Sequence, residues 1–168
     1  LQNPRYLEKS EHKLKREQRK LSRKKQGSNN YSKQRMKVAQ IYEKITNQKN
    51  DFLQKQSTIL IRENQTICIE TLDINSMIRN HGPVKSIWSA SWSKFFLMLE
   101  YKSEWYGNTL VKVPHDFASS RICSCCGYKN NQLKNYHIRQ WECPRCHRHH
   151  DRDTNASINI LNYGMTLI

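Results

Sequence analysis

At 168 residues the chain is long enough for one medium domain, or for a compact domain with a small module. Only 36% of residues are hydrophobic and 26% are charged, so any single large core is thin, and no run of about 18 apolar residues exists to span a membrane. The 29 Lys and Arg against 14 Asp and Glu leave a formal charge of +15, which favours a polyanionic partner because basic groups near phosphates release condensed counterions.

The charge is concentrated at one end. Residues 1–65 hold 17 Lys and Arg and 6 acidic residues, so +11 of the +15 lies there. Leu1-Gln2-Asn3-Pro4-Arg5 runs into charges rather than an apolar stretch, which is not the pattern of a secretory leader. The expectation is therefore a cytoplasmic protein, and in a reducing compartment six cysteines point to metal before disulfides. The absence of a starting Met and the immediate basic helix suggest a piece of something longer.

From Pro4 to about residue 26, leucines at 7, 14 and 21 stand among lysines and arginines, and the seven-residue spacing predicts a helix. Gly27 followed by Ser28-Asn29-Asn30 predicts a stop and turn. A second helix is predicted from about 31 to 63, with Val38, Tyr42, Ile45, Phe52, Ile59 and Leu60 as its apolar stripe. A short polar turn between two helices predicts an antiparallel hairpin. Most of its lysines, taken singly, are expected on a solvated face.

Thr66-Ile67-Cys68-Ile69-Glu70 is predicted as a strand from its β-branched residues, with a carboxylate at the end where open α/β sheets place active groups. From about Val84 to Tyr106 the spacing of Trp88, Trp92, Phe95 and Leu99 predicts a helix whose aromatics are core before they are base-stacking platforms. Gly107 ends it, and residues 109–113 are predicted as a second strand. A closing helix is expected over 154–166, carrying Ala156, Ile158, Ile160, Leu161 and Met165.

Between strand and closing helix, Cys123-Ser124-Cys125-Cys126 and Cys143-Pro144-Arg145-Cys146 form two C-x2-C knuckles sixteen residues apart. Each such turn brings two thiolates onto one metal, and two turns complete a tetrahedral four-cysteine zinc ribbon. The expected ligands are Cys123, Cys126, Cys143 and Cys146, with Gly127 permitting the tight backbone after the first knuckle. Four protein ligands leave no open position, so the zinc is structural. Cys125 is an extra thiol, Cys68 a small hydrophobe, and ligation by His147, His149 or His150 a minor alternative. Arg121, Lys129, Lys134, Arg139, Arg145, Arg148 and Arg152, with Tyr128, Tyr136 and Trp141, suit phosphate contact and stacking, although a protein-binding ribbon also carries charge.

Glu70 ends the first strand, and Asp153 stands at the start of the closing helix. Two-metal phosphodiester cleavage requires several carboxylates converging on ions about 3.5–4 Å apart. On residues alone, a surface strand end for Glu70 and a helix N-cap for Asp153 come first, and their convergence on metal ions is a conjecture.

The segments Ile69-Glu70-Thr71-Leu72-Asp73-Ile74, Leu99-Glu100-Tyr101-Lys102, Cys123-Ser124-Cys125-Cys126-Gly127, Trp141-Glu142-Cys143 and His150-Asp151-Arg152-Asp153-Thr154-Asn155-Ala156 resemble, in order, the TnpB (OrfB) proteins of bacterial insertion sequences. The resemblance includes the basic Leu21-Ser22-Arg23-Lys24-Lys25-Gln26-Gly27-Ser28 segment and runs across essentially the whole chain. These proteins are similar to the ancestors of type V CRISPR effectors.

The resemblance implies an α/β fold: a partial RuvC-like (RNase H-type) nuclease with a basic helical hairpin over 1–65 and a core segment over 66–117. It also implies an inserted zinc ribbon over 118–152 and a catalytic helix over 153–168. It implies a transposon-derived guide RNA, target DNA and Mg²⁺-dependent cleavage, in a bacterial, nucleoid-associated protein. Glu70 stands as the second catalytic acid and Asp153 as the third, both ligands to magnesium. Asp153 is preferred to Asp151 because the family motif places the acid two residues before Asn. Arg16, Arg19, Lys20, Arg23, Lys24 and Lys25 of the hairpin, with Arg145 and Arg152, are the implied nucleic-acid contacts.

Two departures stand out. The family's first catalytic Asp precedes the basic hairpin, and neither it nor the recognition domain is present here, so this chain is expected to bind nucleic acid and to cleave weakly or not at all. His147 replaces the glycine common after the last cysteine. The alternative is a non-enzymatic zinc-ribbon nucleic-acid-binding or regulatory protein, or a gene relic.

Overall fold

The computed structural model describes residues 5–71, 91–133 and 138–168. Leu72, Asp73, Trp88, Lys134, Tyr136, the side chain of Leu7 and the expected helical turns over 84–90 lie outside the described residues. Among the described residues, no helix is long and apolar enough to cross a membrane.

The basic end forms α1 (Tyr6–Ser22) and α2 (Asn29–Glu63), packed against each other. Gly27 turns the chain at φ 83°, a left-handed conformation that favours glycine, and Ser28 caps α2 by accepting from the Tyr31 N–H at 3.2 Å. Leu14 and Val38 are buried along the hairpin, and between them lies a polar contact in which Gln34 meets Glu17. The expected stripe needs correction, because Tyr42 and Ile59 are exposed. The buried line runs Gln34, Val38, Ile45, Leu53, Ser57, Ile61, admitting two polar residues because partners across the interface satisfy them.

The second half of α2 packs on α3 (Trp92–Tyr106). Leu53, Ile61, Phe95, Met98 and Leu99 form the main core, flanked by Ile67 and Ile69 of β1 (Thr66–Glu70) and Leu110 of β2 (Thr109–Val113). Phe95 and Leu99 are core as expected, whereas Trp92 is 39% exposed on the first turn. Gly107 ends α3 at φ 70°. Strands β1 and β2 pair in parallel, in register from Thr66↔Thr109 to Glu70↔Val113, which requires a crossover connection; α3 forms part of it.

Beyond β2 a single 3₁₀ turn (Ser119–Arg121) leads into the cysteine module, whose strands β3 (Gln140–Glu142) and β4 (His149–Asp151) pair antiparallel. The closing helix α4 (Arg152–Met165) starts two residues before its expected boundary and packs on the 3₁₀ turn, β1, β2 and β4. Its apolar pattern misleads: Ile158, Leu161 and Met165 are exposed, and the buried positions are Arg152, Asn155, Asn159 and Gly164. Hydrogen bonds, a close backbone approach and a stack of Tyr163 on Phe117 hold this helix, with Ala156 and Ile160 half-buried.

Candidate metal centre and acidic cleft

The two knuckles repeat one backbone pattern. After Cys123 the Gly127 N–H donates to the Cys123 carbonyl at 2.9 Å, and the Cys123 N–H donates to Tyr128 O at 2.8 Å. After Cys143 the His147 N–H donates to the Cys143 carbonyl at 2.9 Å, and the Cys143 N–H donates to Arg148 O at 2.9 Å. The turns require a left-handed residue at Gly127 (φ 75°) and His147 (φ 57°), so the histidine standing in the glycine position adopts the glycine conformation.

These turns bring Cys123, Cys126, Cys143 and Cys146 together, with all four sulfurs within 4.8 Å of one another. The Cys123–Cys146 and Cys126–Cys143 pairs lie at 3.6 Å. Burial opposes ionisation of Cys143, but the N–H groups of Cys146 and Arg145 and the neighbouring thiols outweigh it and bring this group down to about 7. Cys125 is exposed and outside the cluster. His150 is buried with Nε2 3.1 Å from Cys123 Sγ, and its ring lies 4.7 Å from that of Trp141 across the β3–β4 pair. Burial, then Arg148 and His149, hold its pKa below the usual histidine value, and a neutral imidazole with its proton on Nε2 can donate to a thiolate. Sequence reasoning weighed this residue only as a ligand; its place beside one is set by strand register.

Glu70 ends β1, half-buried in a cleft of about 500 Å³ lined also by His115, Asp116, Ser119, Arg121 and Arg152. Burial raises its carboxyl above the usual carboxylate range, and the nearby His115 offsets only part of that. Asp153 stands in the first turn of α4, its side chain 77% exposed and paired with Arg139 at 3.2 Å. The helix cap is Asp151, whose Oδ1 accepts from the Thr154 N–H at 2.9 Å, so Asp153 is free of the capping role that would have accounted for it. The cleft joins the strand end to the helix start through Arg152, the residue next to Asp153; Asp153 itself is turned toward Arg139.

The basic residues divide into two groups. Arg16, Arg19, Lys20 and Arg23 line an open groove on α1 with His12 and Lys15, and Lys24, Lys25 and Arg145 are exposed. Arg152 differs from the group in which the sequence placed it. It is 5% exposed, and its guanidinium donates to Ile138 O, Ser120 Oγ and Leu133 O, each at 3.4 Å, tying α4 to the module.

A family profile described as "Probable transposase" (OrfB_IS605) matches residues 1–81, and one described as "Cas12f1-like, TNB domain" matches residues 92–160. A "Putative RNA-guided DNA endonuclease" of Streptomyces pristinaespiralis is 42% identical over 163 residues, covering 97% of this chain and 40% of the relative. Its counterpart InsQ of Escherichia coli K12 is 31% identical, covering 96% of this chain and 44% of the relative. The chain belongs to the TnpB (OrfB) family. It spans less than half the length of these curated relatives. The α/β fold is also that of a chain in the Cas12f1–sgRNA–target DNA complex, with a TM-score of 0.60 at 20% identity, covering 94% of this chain and 42% of that one. A second match, in a CRISPR–Cas12f ternary complex, has a TM-score of 0.62 and covers 92% of this chain and 32% of that one.

Proposed function

We propose that this TnpB-family chain is the catalytic and zinc-binding part of an RNA-guided DNA endonuclease of RuvC-like type. The observation that supports this reading is the cleft that Glu70 shares with Arg152, the residue next to Asp153 at the head of α4. A nuclease of this type draws its metal-binding acids from such a strand end and helix start. In this reading Glu70 and Asp153 would hold Mg²⁺, for which Asp153 would have to exchange its pairing with Arg139. The ion supplies a polarised phosphate and an activated water. The exposed cations of α1 and the turn, with Arg145, contact the guide RNA and target DNA, and their contribution falls with salt.

The four-sulfur cluster suits zinc. A tetrahedral ion with Zn–S bonds of about 2.3 Å places its sulfurs about 3.8 Å apart, and two of the pairs here lie at 3.6 Å. All four ligands come from the protein, so this zinc organises 118–152 and takes no part in chemistry.

The test is binding and cleavage by the zinc-loaded chain with Mg²⁺, guide RNA and target DNA, beside Glu70→Gln and Asp153→Asn. Two carboxylates alone are a sparse site for two-metal chemistry, so salt-sensitive binding with little or no cutting is expected from the chain by itself. In a chain of its relatives' length, cleavage is expected and both substitutions abolish it. Retention of cutting in Glu70→Gln sinks the assignment.

A second reading, a non-enzymatic nucleic-acid-binding protein, is favoured by the Arg139–Asp153 pair, which occupies one of the two acids. It predicts that neither acid substitution changes any function, whereas Cys123→Ser abolishes binding.

A further inference from the structure

The four buried residues of α4 include no apolar side chain, and two of them, Asn155 and Asn159, reach into the first cysteine knuckle. Asn155 is 1% exposed. Its Oδ1 accepts from the Ser124 N–H at 2.9 Å, and its Nδ2 donates to Ile122 O at 2.7 Å. Asn159 Nδ2 donates to the same Ile122 carbonyl at 2.7 Å and to Ser119 O at 2.8 Å. Ile122 and Ser124 are the residues on either side of Cys123. The helix therefore grips the backbone around the first metal ligand, while its far end rests on β1 at Gly164, against Cys68.

We infer that Asn155, backed by Asn159, is a positioning residue that makes the placement of Asp153 depend on the metal in the cysteine cluster. This rests on the reading in which the cluster holds zinc and Asp153 ligates magnesium. Asp153 is two residues from Asn155 in the same first turns, so whatever fixes the asparagine amide fixes the carboxylate's base. The knuckle backbone is ordered by its thiolates converging on one ion; without that ion, the partners of both asparagines lose their fixed positions. The Gly164 contact does not touch the cluster and keeps the other end of α4 seated in either state.

The experiment is amide hydrogen exchange with zinc content measured in parallel, on the zinc-loaded chain, the chelator-stripped chain, Asn155→Ala and Asn159→Ala. Asn155→Ala is expected to keep one zinc per chain, since no thiolate is touched, while amides 156–160 exchange about tenfold faster or more. Those of β1, β2 and α3 should stay unchanged. Stripping the zinc from the unsubstituted chain should accelerate the same α4 amides. Unchanged α4 exchange in both cases overturns the inference, because the sheet alone then places the helix. Loss of zinc in Asn155→Ala also overturns it, because the asparagine then belongs to the metal centre's own folding. Should Asn155→Ala not fold, Asn159→Ala decides, with faster exchange at 156–160 and retained zinc expected, and no change overturning the idea. If exchange follows zinc but Asp153→Asn never affects cleavage in a chain of the relatives' length, the coupling stands and the nuclease assignment fails.

Discussion

Gln34 grips Glu17 at two points across the hairpin, its Nε2 donating to the carboxylate at 2.9 Å and to the backbone carbonyl of the same residue at 3.1 Å. Lys20 and Arg16 complete the ring around this carboxylate at 2.9 and 3.1 Å. A buried acid in the most basic part of the chain thereby fixes how α1 sits on α2.

The Gln34 hydrogen bond, followed by that from Lys20, holds the Glu17 carboxyl at about 2, against 4.5 in an unstructured chain. A depressed folded value means that the stabilisation is complete above the unfolded value and is lost as pH falls through the folded one. Thermal unfolding followed by helical circular dichroism should show the hairpin weakening from about pH 5 down to about pH 2. Glu17→Gln should be less stable at neutral pH and should lose most of that slope; an identical slope refutes the assignment.

Lys102 is buried at 5% exposure with its ammonium on three neutral acceptors: Gln54 O at 2.8 Å, and Ser57 Oγ and Thr58 Oγ1 at 2.7 Å. Burial lowers its pKa. The group locks α3 to α2 beside the main core. Lys102→Ala removes the stem packing and three charge-assisted bonds, and should cost about 2–4 kcal/mol in urea unfolding. Lys102→Met should cost less, since it keeps the stem and both hydroxyls retain bonds to their own helix. Equal losses in the two variants would show that the ammonium, and not the packing, holds the pair.

At Gly164, α4 lies on β1 so closely that an added Cβ would overlap Cys68 Sγ and come within 2.9 Å of Cys68 Cβ. Gly164→Ala must therefore lift the helix, and a loss of about 1–3 kcal/mol is expected despite alanine's better helix propensity. Cys68→Ala should restore part of it in the double variant. A double-mutant cycle with no coupling would place the strain elsewhere.

Removal of the metal should dismantle the module and leave the hairpin in place. Structural zinc contributes on the order of 10 kcal/mol in small cysteine domains, and among the described residues the module's own core is Leu133, Trp141 and the cysteines, with Ile138 packed against them. Chelation, or Cys143→Ser, is expected to abolish zinc binding and disturb the buried Trp141 while the α1–α2 helical signal persists. Retained near-ultraviolet structure after complete metal loss would contradict this.

The features legible in the sequence were those whose geometry is local. Two C-x2-C turns at ligand spacing announce a four-sulfur cluster whatever the rest of the chain does, and Gly27-Ser28 marks a helix boundary through its own backbone. The β-branched run ending in Glu70 identified its strand in the same way. What stayed hidden depends on partners distant in sequence. Glu17 and Gln34 are indistinguishable from solvated residues until the hairpin closes, and Tyr42 fits an apolar stripe until the register turns it outward. The largest misreading concerned α4. Of the five apolar residues expected there, Ile158, Leu161 and Met165 are exposed and only Ala156 and Ile160 are half-buried, while asparagines take the most buried places, because hydrogen-bond complementarity to a loop backbone leaves no periodic trace. Asp153 is the cap candidate on paper, and the bond from the Thr154 N–H gives that role to Asp151.

The 35 residues of α2 belong to two neighbourhoods at once. One half is clasped by α1 among the arginines and lysines, and the other is bolted to α3 and runs, after Asn64 and Gln65, into the strand that ends at Glu70. A helix of this length is a stiff rod of about 52 Å, so a tilt of about one degree at its seat swings the tip by about 1 Å. Read in the opposite direction, the rod is a lever: a load on the basic tip arrives as torque at its seat on α3, two residues before the strand that ends in Glu70.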